Sequence, residues 1–260
     1  MRGTRAGRYA YAQLLANAMG HTQAVEHRGA SLLFAVPNAL NQFRVDTFSS
    51  KEPETLDWID EMPQGATVWD IGANVGLYSC YACVRRGCRV FAFEPSVFNL
   101  ELLARNIFLN GFADRITIVP LPLSGELAAS KLNMTSTEWG GAMSTFGQSY
   151  GHDGRPMNKV FEFTTIGVSM VDAVDLLEIP RPDYIKMDVD GIEHLILKGG
   201  MPVLRDAKGV LIEINDEFSD QAAGASKYLL EAGFTLKVKT HADIGHTGGA
   251  ATTFNQIWIK

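Results

Sequence analysis

The sequence predicts an α/β fold built around a seven-stranded, mostly parallel sheet with an antiparallel edge. From residue 67 onward, short apolar segments alternate with segments of helical periodicity, which is typical of βαβ units. A glycine-containing turn at residues 72–76 separates the first apolar segment from the first of these helices. A loop with glycine and histidine, and no helix, joins the last two apolar segments, so they should pair in antiparallel orientation. In such an open sheet, ligands bind beyond the carboxyl ends of the strands.

The N-terminal quarter predicts a small α/β cap that precedes this sheet. It should contain a helix, the two strands of a hairpin and a second helix, at residues 9–19, 23–26, 31–36 and 50–62. Pro53 stands early in the second helix, where its missing N–H is harmless. We predict that the cap covers residues 1–65 and that the main domain covers residues 66–260.

The main domain accounts for the seven strands and their connecting helices. Strands are expected at residues 67–71, 89–93, 116–120, 184–188, 210–214, 234–240 and 254–259. Helices are expected at residues 77–86, 97–109, 192–199 and 219–232. Residues 124–167 form an unusually long connection that is rich in small polar residues, with a hairpin predicted from residues 131–134 and 160–166. Long connections in compact domains are often functional, and this one should emerge beside the strand ends, so we predict a lid.

Composition and charge exclude several classes of protein. The chain has 260 residues, of which 46% are hydrophobic and 20% charged, as in ordinary globular proteins. A net charge of −6 gives no electrostatic attraction to nucleic acid, and no apolar run reaches the roughly 18 residues of a membrane span. Residues 9–19 lack a signal-peptide core, so a cytoplasmic protein is expected. Cys80, Cys83 and Cys88 have no second pair with zinc-site spacing, and we expect them to pack structurally.

The turn at residues 72–76 predicts a ligand that has no pyrophosphate. A dinucleotide-binding turn has the pattern G-x-G-x-x-G, in which the second glycine lets the backbone approach a pyrophosphate. Counted from Gly72, the second and third glycine positions hold Asn74 and Leu77. Two of the three glycines are therefore missing.

Two acidic residues indicate which ligand would bind instead. Asp70 ends the first strand, where a carboxylate can hold an ammonium group, and the N–H groups that open the next helix can take a carboxylate. Glu94 ends the second strand, close to the roughly 20-residue separation of a ribose-binding acid. An amino acid and a ribose without a pyrophosphate describe S-adenosylmethionine. The alternative is that both acids only cap helices.

The fourth strand carries the candidate catalytic carboxylate. Lys186 lies in an otherwise apolar strand, which is unfavourable unless its amine finds a carboxylate. Asp188 ends this strand, where it could accept the proton of an alcohol nucleophile. Alternatively, Asp188 and Asp190 only order the turn and neutralise Lys186. Asp190 and Glu193 have the spacing of a capping box, which predicts a helix N-terminus, and the adjacent His194 is more often structural than a base.

A metal site at these strand ends is the weaker hypothesis. Glu213 and Asn215 could join Asp188 as oxygen ligands. The three residues lie on two strands and form no dedicated motif, so we predict no metal.

Three motifs together resemble the FkbM family of methyltransferases. They are Asp70-Ile71-Gly72-Ala73-Asn74-Val75-Gly76, Phe93-Glu94-Pro95 and Ile185-Lys186-Met187-Asp188-Val189-Asp190-Gly191-Ile192-Glu193. The first is shared by many methyltransferases, whereas the third is far more specific. The family usually has glutamate where this chain has Asp190, which weakens any role that requires reach at that position. Residues 49–55 and the long middle segment resemble members found in bacterial polysaccharide gene clusters.

The resemblance implies a fold, a cofactor and site residues. The fold would be the Rossmann-like sheet of class I methyltransferases, with S-adenosylmethionine as methyl donor. Its methionine part would be held by residues that match the first motif, namely Asp70, Gly72, Asn74 and Gly76. Glu94 would bind the ribose, and Asp188 would lie near the transferred methyl group. Acceptors in the family are hydroxyl groups of sugars or polyketide-like natural products, and peptide nitrogens in some members.

We therefore predict an O-methyltransferase that acts on a sugar, a glycan precursor or another small molecule. The acceptor pocket should be formed by the cap, residues 124–167 and the loop over residues 241–249. A peptide N-methyltransferase, a nicotinamide-dependent oxidoreductase and a non-catalytic binding module remain alternatives, and the sequence leaves the oligomeric state open.

Overall fold

The N-terminal region forms two helices and a hairpin ahead of a further helix. The structure is a computed structural model that describes residues 3–241 and 252–260. The elements in chain order are α1 (Arg5–Met19), β1 (Thr22–His27), β2 (Ala30–Ala35), α2 (Ala39–Asp46) and α3 (Pro53–Glu61). The antiparallel pairing of β1 with β2 confirms the predicted hairpin. Arg28 and Gly29 both have positive φ, as the two central residues of a tight hairpin turn require.

Helix α2 was not predicted, because its sequence has little apolar periodicity. Only Asn41 and Val45 of its residues are buried. A local signal was present nevertheless, since the Asn38 side chain accepts a hydrogen bond from the Asn41 N–H and so caps the helix. This helix matters because it brings Arg44 to the candidate site.

The central sheet has seven strands. Their bounds are β3 (Thr67–Ile71), β4 (Arg89–Phe93), β5 (Ile116–Val119), β9 (Tyr184–Met187), β10 (Gly209–Asn215), β11 (Thr235–His241) and β12 (Thr253–Ile259). The spatial order is β11-β12-β10-β9-β3-β4-β5. Strands β5, β4, β3, β9 and β10 are parallel, whereas β12 runs antiparallel to both β10 and β11. This order confirms the predicted sheet and its antiparallel edge.

The long connection forms a second, smaller sheet. Its strands are β6 (Ala128–Met134), β7 (Ser144–Phe146) and β8 (Phe161–Gly167), in the order β7-β6-β8. The pairing of Lys131 with Thr164 confirms the predicted hairpin. Strand β7 was missed because only three of its residues pair.

Helices cover both faces of the central sheet. They are α4 (Leu77–Arg86), α5 (Val97–Leu109), α6 (Met170–Asp175), α7 (Glu193–Gly199), α8 (Met201–Leu204) and α9 (Ser219–Glu231). The short helices α6 and α8 were not predicted. Among the described helices, none combines the length and apolar character that crossing a membrane requires.

The alternation of side chains along β3 divides the core in two. Trp69 and Ile71 pack on one face with α7 and with the long connection over residues 124–167, hereafter the insertion. Val68 packs on the other face with Phe34 and Leu56 from the N-terminal region. The N-terminal region therefore shares a hydrophobic core with the sheet, and the boundary near residue 65 stays a prediction. On this second face, Cys80, Cys83 and Cys88 are buried free thiols, in agreement with the packing role expected for them.

Candidate active site

Two adjoining cavities lie at the carboxyl ends of β3, β4 and β9. The larger has a volume of about 240 Å³ and the smaller about 50 Å³. Both are lined by a common set of residues, namely Arg44, Lys51, Gly72, Asn74 and Asp188. The cavities thus meet at the glycine turn, opposite the end of β9.

The backbone explains why glycine is required at position 72. Gly72 has a φ of +82°, and a Cβ added there would lie 1.8 Å from the carbonyl oxygen of Asp188. Gly76 also has positive φ, and its added Cβ would meet Leu103 of α5 at 2.5 Å. These two glycines let the turn pass close to the end of β9 and to α5.

Glu94 joins the glycine turn to the start of α5. Its buried carboxylate accepts hydrogen bonds from the N–H groups of Asn74 and Ser96, both at 2.8 Å. Burial raises the pKa of Glu94 to about 7, although these hydrogen bonds act in the opposite direction. Glu94 also lines the larger cavity, where it can accept a hydrogen bond from a ligand hydroxyl.

Asp70 lies beneath the cavities and pairs with Lys186. The two residues are register partners on β3 and β9, so their side chains share one face of the sheet. The Lys186 Nζ lies 3.8 Å from Asp70 Oδ1 and 3.6 Å from Asp188 Oδ2. Burial lowers the pKa of Lys186, but the negative charges of Asp188, Asp70 and Glu52 raise it by more. The net pKa of Lys186 therefore lies above its usual range. The buried ammonium of Lys186 is therefore paired with carboxylates, as its burial requires.

The Asp70 carboxylate is only partly satisfied in the described part of the chain. Its Oδ2 accepts a hydrogen bond from the Ser79 hydroxyl at 2.5 Å, whereas its buried Oδ1 has no hydrogen-bond partner there. Asp70 is not among the residues that line the two cavities, and neither is Gly76.

Glu52 is a further buried acid, and its sequence position indicates only the start of a helix. It lies 2.6 Å from the Lys51 Nζ and forms a hydrogen bond with Tyr78. Burial raises the pKa of Glu52, but Lys51 and Lys186 lower it more, so the net pKa is below the usual value. Glu52 lines the smaller cavity. Its position directly before Pro53, the first residue of α3, was the only sequence signal.

Besides Glu94, the larger cavity is lined by the carboxylates of Asp188, Asp190 and Glu213. The side chain of Asp188 is 34% exposed. Burial, and then the charge of Asp188, raise the pKa of Asp190 to about 7 and that of Glu213 well above its usual value. At neutral pH this wall of the cavity is therefore able both to donate and to accept hydrogen bonds.

The helix N-terminus predicted from the spacing of Asp190 and Glu193 is confirmed, because α7 begins at Glu193, but Asp190 does not form a capping box with it. Asp190 has a φ of +59° and accepts hydrogen bonds from Met143 and Ser144 of the insertion, at 2.8 and 3.2 Å. Helix α7 begins at Glu193 without a side-chain cap. The left-handed backbone directs the Asp190 side chain to the insertion. A different side chain, that of Glu193, therefore binds the backbone of the turn before α7.

Glu193 stabilises the turn at residues 189–191 through hydrogen bonds to its backbone. Its buried carboxylate accepts hydrogen bonds from the N–H groups of Val189 and Gly191, both at 3.1 Å, and from the Gln221 amide. Burial raises the pKa of Glu193 to about 7. His194 packs edge-on against Phe218, and burial lowers its pKa. This packing fits a structural histidine.

Residues 139–141 of the insertion contact three separate parts of the fold, and Gly141 lines the larger cavity. The carbonyl of Gly141 accepts hydrogen bonds from the side chains of Asn74 and Asn99, both at 3.0 Å. The carbonyl of Gly140 accepts one from Arg44 at 2.7 Å. Asn38 and Asn41 donate to the Trp139 carbonyl at 3.0 and 2.8 Å. Of the loop over residues 241–249, which is predicted to contribute to the acceptor pocket, residues 242–249 lie outside the described residues.

The donor set fits S-adenosylmethionine. Glu94 offers a carboxylate that can accept hydrogen bonds from ligand hydroxyls. The buried Oδ1 atom of Asn74, which lines both cavities, has no hydrogen-bond partner among the described residues. The turn passes against the Asp188 carbonyl at Gly72, and it has no glycine at position 74 for a pyrophosphate. In the searched part of the chain, no group of three or more His, Cys, Asp or Glu residues is placed to hold a metal ion. The sheet and this site define a Rossmann-like methyltransferase that uses S-adenosylmethionine.

Comparison with known families makes the assignment specific. Residues 70–236 match the family described as the methyltransferase FkbM domain. The chain belongs to this family. Membership in this methyltransferase family excludes the alternative prediction of a nicotinamide-dependent oxidoreductase.

Individual relatives resemble the chain more distantly. The hexuronic acid methyltransferase AglP of Haloferax volcanii is 24% identical over 190 residues, which cover 73% of each protein. Protein arginine N-methyltransferase 6 of Xenopus laevis is 32% identical over 79 residues, which cover 30% of this chain and 23% of that protein.

A solved structure, methyltransferase FkbM from Methylobacillus flagellatus KT, shares the fold with a TM-score of 0.51 and 19% identity. The match covers 77% of this chain and 44% of the solved one, so this chain spans less than half the length of that structure.

Proposed function

We propose that this protein transfers a methyl group to a hydroxyl group of a sugar, in a glycan or a glycan precursor. The observation that carries the proposal is the position of Asp188 where the two cavities meet. When bound, S-adenosylmethionine supplies an electrophilic methyl group. Asp70, Gly72, Asn74 and Gly76 would support its methionine part, and Glu94 would bind the ribose hydroxyls.

Asp188 would act as the catalytic base. An alcohol must lose its proton as it attacks, and a carboxylate within hydrogen-bond reach can accept that proton. The ammonium of Lys186, 3.6 Å from Asp188 Oδ2, helps to fix the orientation of the carboxylate. Because the side chain is 34% exposed, the proton can then pass to solvent. Much of the remaining rate enhancement would come from positioning.

The surrounding groups favour a polyhydroxylated acceptor. Asp188, Asp190 and Glu213 offer several carboxyl oxygens to donor hydroxyls in one cavity. The name of the Haloferax volcanii relative specifies a hexuronic acid methyltransferase, which supports a sugar acceptor here as well. We further propose that residues 139–144 act as the lid expected from the sequence, since their hydrogen bonds to Asn99 and Asp190 close the larger cavity.

The test is Asp188→Asn with a panel of acceptors that includes neutral sugars, uronic acids and peptides. We expect calorimetry still to detect S-adenosylhomocysteine binding, because asparagine keeps an acceptor oxygen for the ammonium of the cofactor. Sugar methylation should fall by about two to four orders of magnitude. Asp206→Asn, which removes a surface ion pair with Arg181, is the matched control and should leave turnover intact.

Full turnover of Asp188→Asn would show that the base is assigned wrongly. Methylation of a peptide nitrogen, with no turnover of any sugar, would instead favour the N-methyltransferase alternative. The cytoplasmic location expected from the sequence stays a prediction.

A further inference from the structure

We propose that Arg44 binds the carboxylate of the methionine part of the cofactor. Arg44 would thereby select ligands with an intact α-amino acid group. This inference rests on S-adenosylmethionine as the cofactor, and not on the identity of the acceptor.

The guanidinium of Arg44 has an unused donor at the cavities. Arg44 lies in α2 and lines both cavities. Its Nη2 donates to the Gly140 carbonyl at 2.7 Å, but its buried Nε has no hydrogen-bond partner in the described structure. Buried donors are normally satisfied, so an unpartnered one at a cavity indicates a ligand oxygen. A guanidinium also matches a carboxylate geometrically, because it can donate two parallel hydrogen bonds.

Among the described cations at the smaller cavity, Arg44 is the one that contacts no carboxylate directly, although the charge of Asp190 acts on it from a longer distance. The other two cations that line this cavity are already paired, Lys51 with Glu52 and Lys186 with Asp70 and Asp188. Within residues 3–241 and 252–260, Arg44 forms no ion pair with a carboxylate. A ligand carboxylate would supply the missing partner.

The smaller cavity has the size and lining that an α-amino acid group requires. Its volume of about 50 Å³ corresponds to a few water-sized groups, since each occupies roughly 10–15 Å³. Leu77 and Tyr78, the first residues of α4, line it, and the positive end of the helix dipole favours a carboxylate there. Glu52 and Asp188 line the same space and can accept hydrogen bonds from an ammonium. Arg44 thus completes a site for a zwitterion.

A ligand that lacks only the carboxylate tests this assignment. Calorimetry would compare S-adenosylhomocysteine with its decarboxylated analogue for the wild type, Arg44→Met and Arg44→Gln. We expect the wild type to prefer S-adenosylhomocysteine. Both variants should weaken its binding roughly tenfold to a hundredfold, while affinity for the decarboxylated analogue stays within about twofold.

The two variants and a control separate this role from others. Arg44→Gln keeps a side-chain donor for the Gly140 carbonyl, so loss of discrimination in both variants assigns the effect to the charge. Arg105→Met, on the exposed face of α5, should change neither affinity. An equal loss for both ligands would overturn the inference in favour of a purely structural contact with the insertion. The inference would also be overturned if the variants still discriminated between the two ligands but lost activity only toward acidic acceptors. A wild type that prefers S-adenosylhomocysteine but methylates no sugar would leave this inference standing and contradict only the proposed acceptor.

Discussion

Replacement of Gly72 by alanine is expected to destabilise the fold and to disrupt the cofactor site. Two effects add at this position. An alanine at a φ of +82° is strained by about 1–2 kcal/mol. The new Cβ would also lie 1.8 Å from the Asp188 carbonyl oxygen, so the end of β9 must move. Overpacking of this kind destabilises by roughly 1–3 kcal/mol. Gly72→Ala should therefore lower the free energy of unfolding by about 2–5 kcal/mol.

Gly65→Ala is a matched control for the first effect. Gly65 has a φ of +74°, but a Cβ there would meet no atom within 4 Å. This variant should lose only the roughly 1–2 kcal/mol of backbone strain. The difference between the two variants in urea unfolding measures the contact with the Asp188 carbonyl.

Cofactor binding gives a second measurement on the same pair. Displacement of the Asp188 backbone should weaken S-adenosylhomocysteine binding in Gly72→Ala and leave it unchanged in Gly65→Ala. If both variants lose the same stability and both bind normally, the close approach of the turn to β9 does not limit this site, and the reasoning fails.

Two further predictions concern buried charges. Lys186→Met should lower the free energy of unfolding by about 3–5 kcal/mol, because it leaves Asp70 buried without its cation. The surface control Lys208→Met, which removes an exposed ion pair with Asp183, should leave the urea midpoint nearly unchanged. Equal losses in the two variants would contradict the buried pairing. Burial raises the pKa of Glu193 from 4.5 to about 7, so the folded state takes up a proton there before the unfolded state does. The wild type should therefore gain about 1 kcal/mol from this group as the pH falls from about 8 to about 6, and Glu193→Gln should lose that part of the slope. An unchanged slope would show that this carboxyl is not desolvated.

The sheet and part of the site could be predicted because their signals are local. The strand segments are short continuous apolar runs, and the turn at Gly72 follows the first of them directly. Parallel strands place their carboxyl ends at one edge, so Glu94 and Asp188 were expected to lie together, and both line the larger cavity. The burial of Lys186 in an apolar strand likewise indicated a carboxylate partner before the register of β3 and β9 identified it.

Other members of the site could not be predicted because distant segments bring them there. Arg44 reaches the cavities from a helix with weak periodicity and contacts Gly140, far along the chain. Asp190 has a sequence spacing that favours a helix cap, but a left-handed backbone directs it to Met143. Such contacts depend on how the insertion folds back over the sheet, and no local pattern encodes that.

The sequence by itself therefore determined the sheet, the class of cofactor and the carboxylates at the strand ends, since each depends on periodicity and spacing within a few residues. Only the tertiary structure decided which charges are paired. It placed Asp70 of β3 against Lys186 of β9 and left the guanidinium of Arg44 without a carboxylate partner among the described residues. Pairing depends on distances of a few ångströms between segments that are far apart in the chain, and packing alone sets those distances.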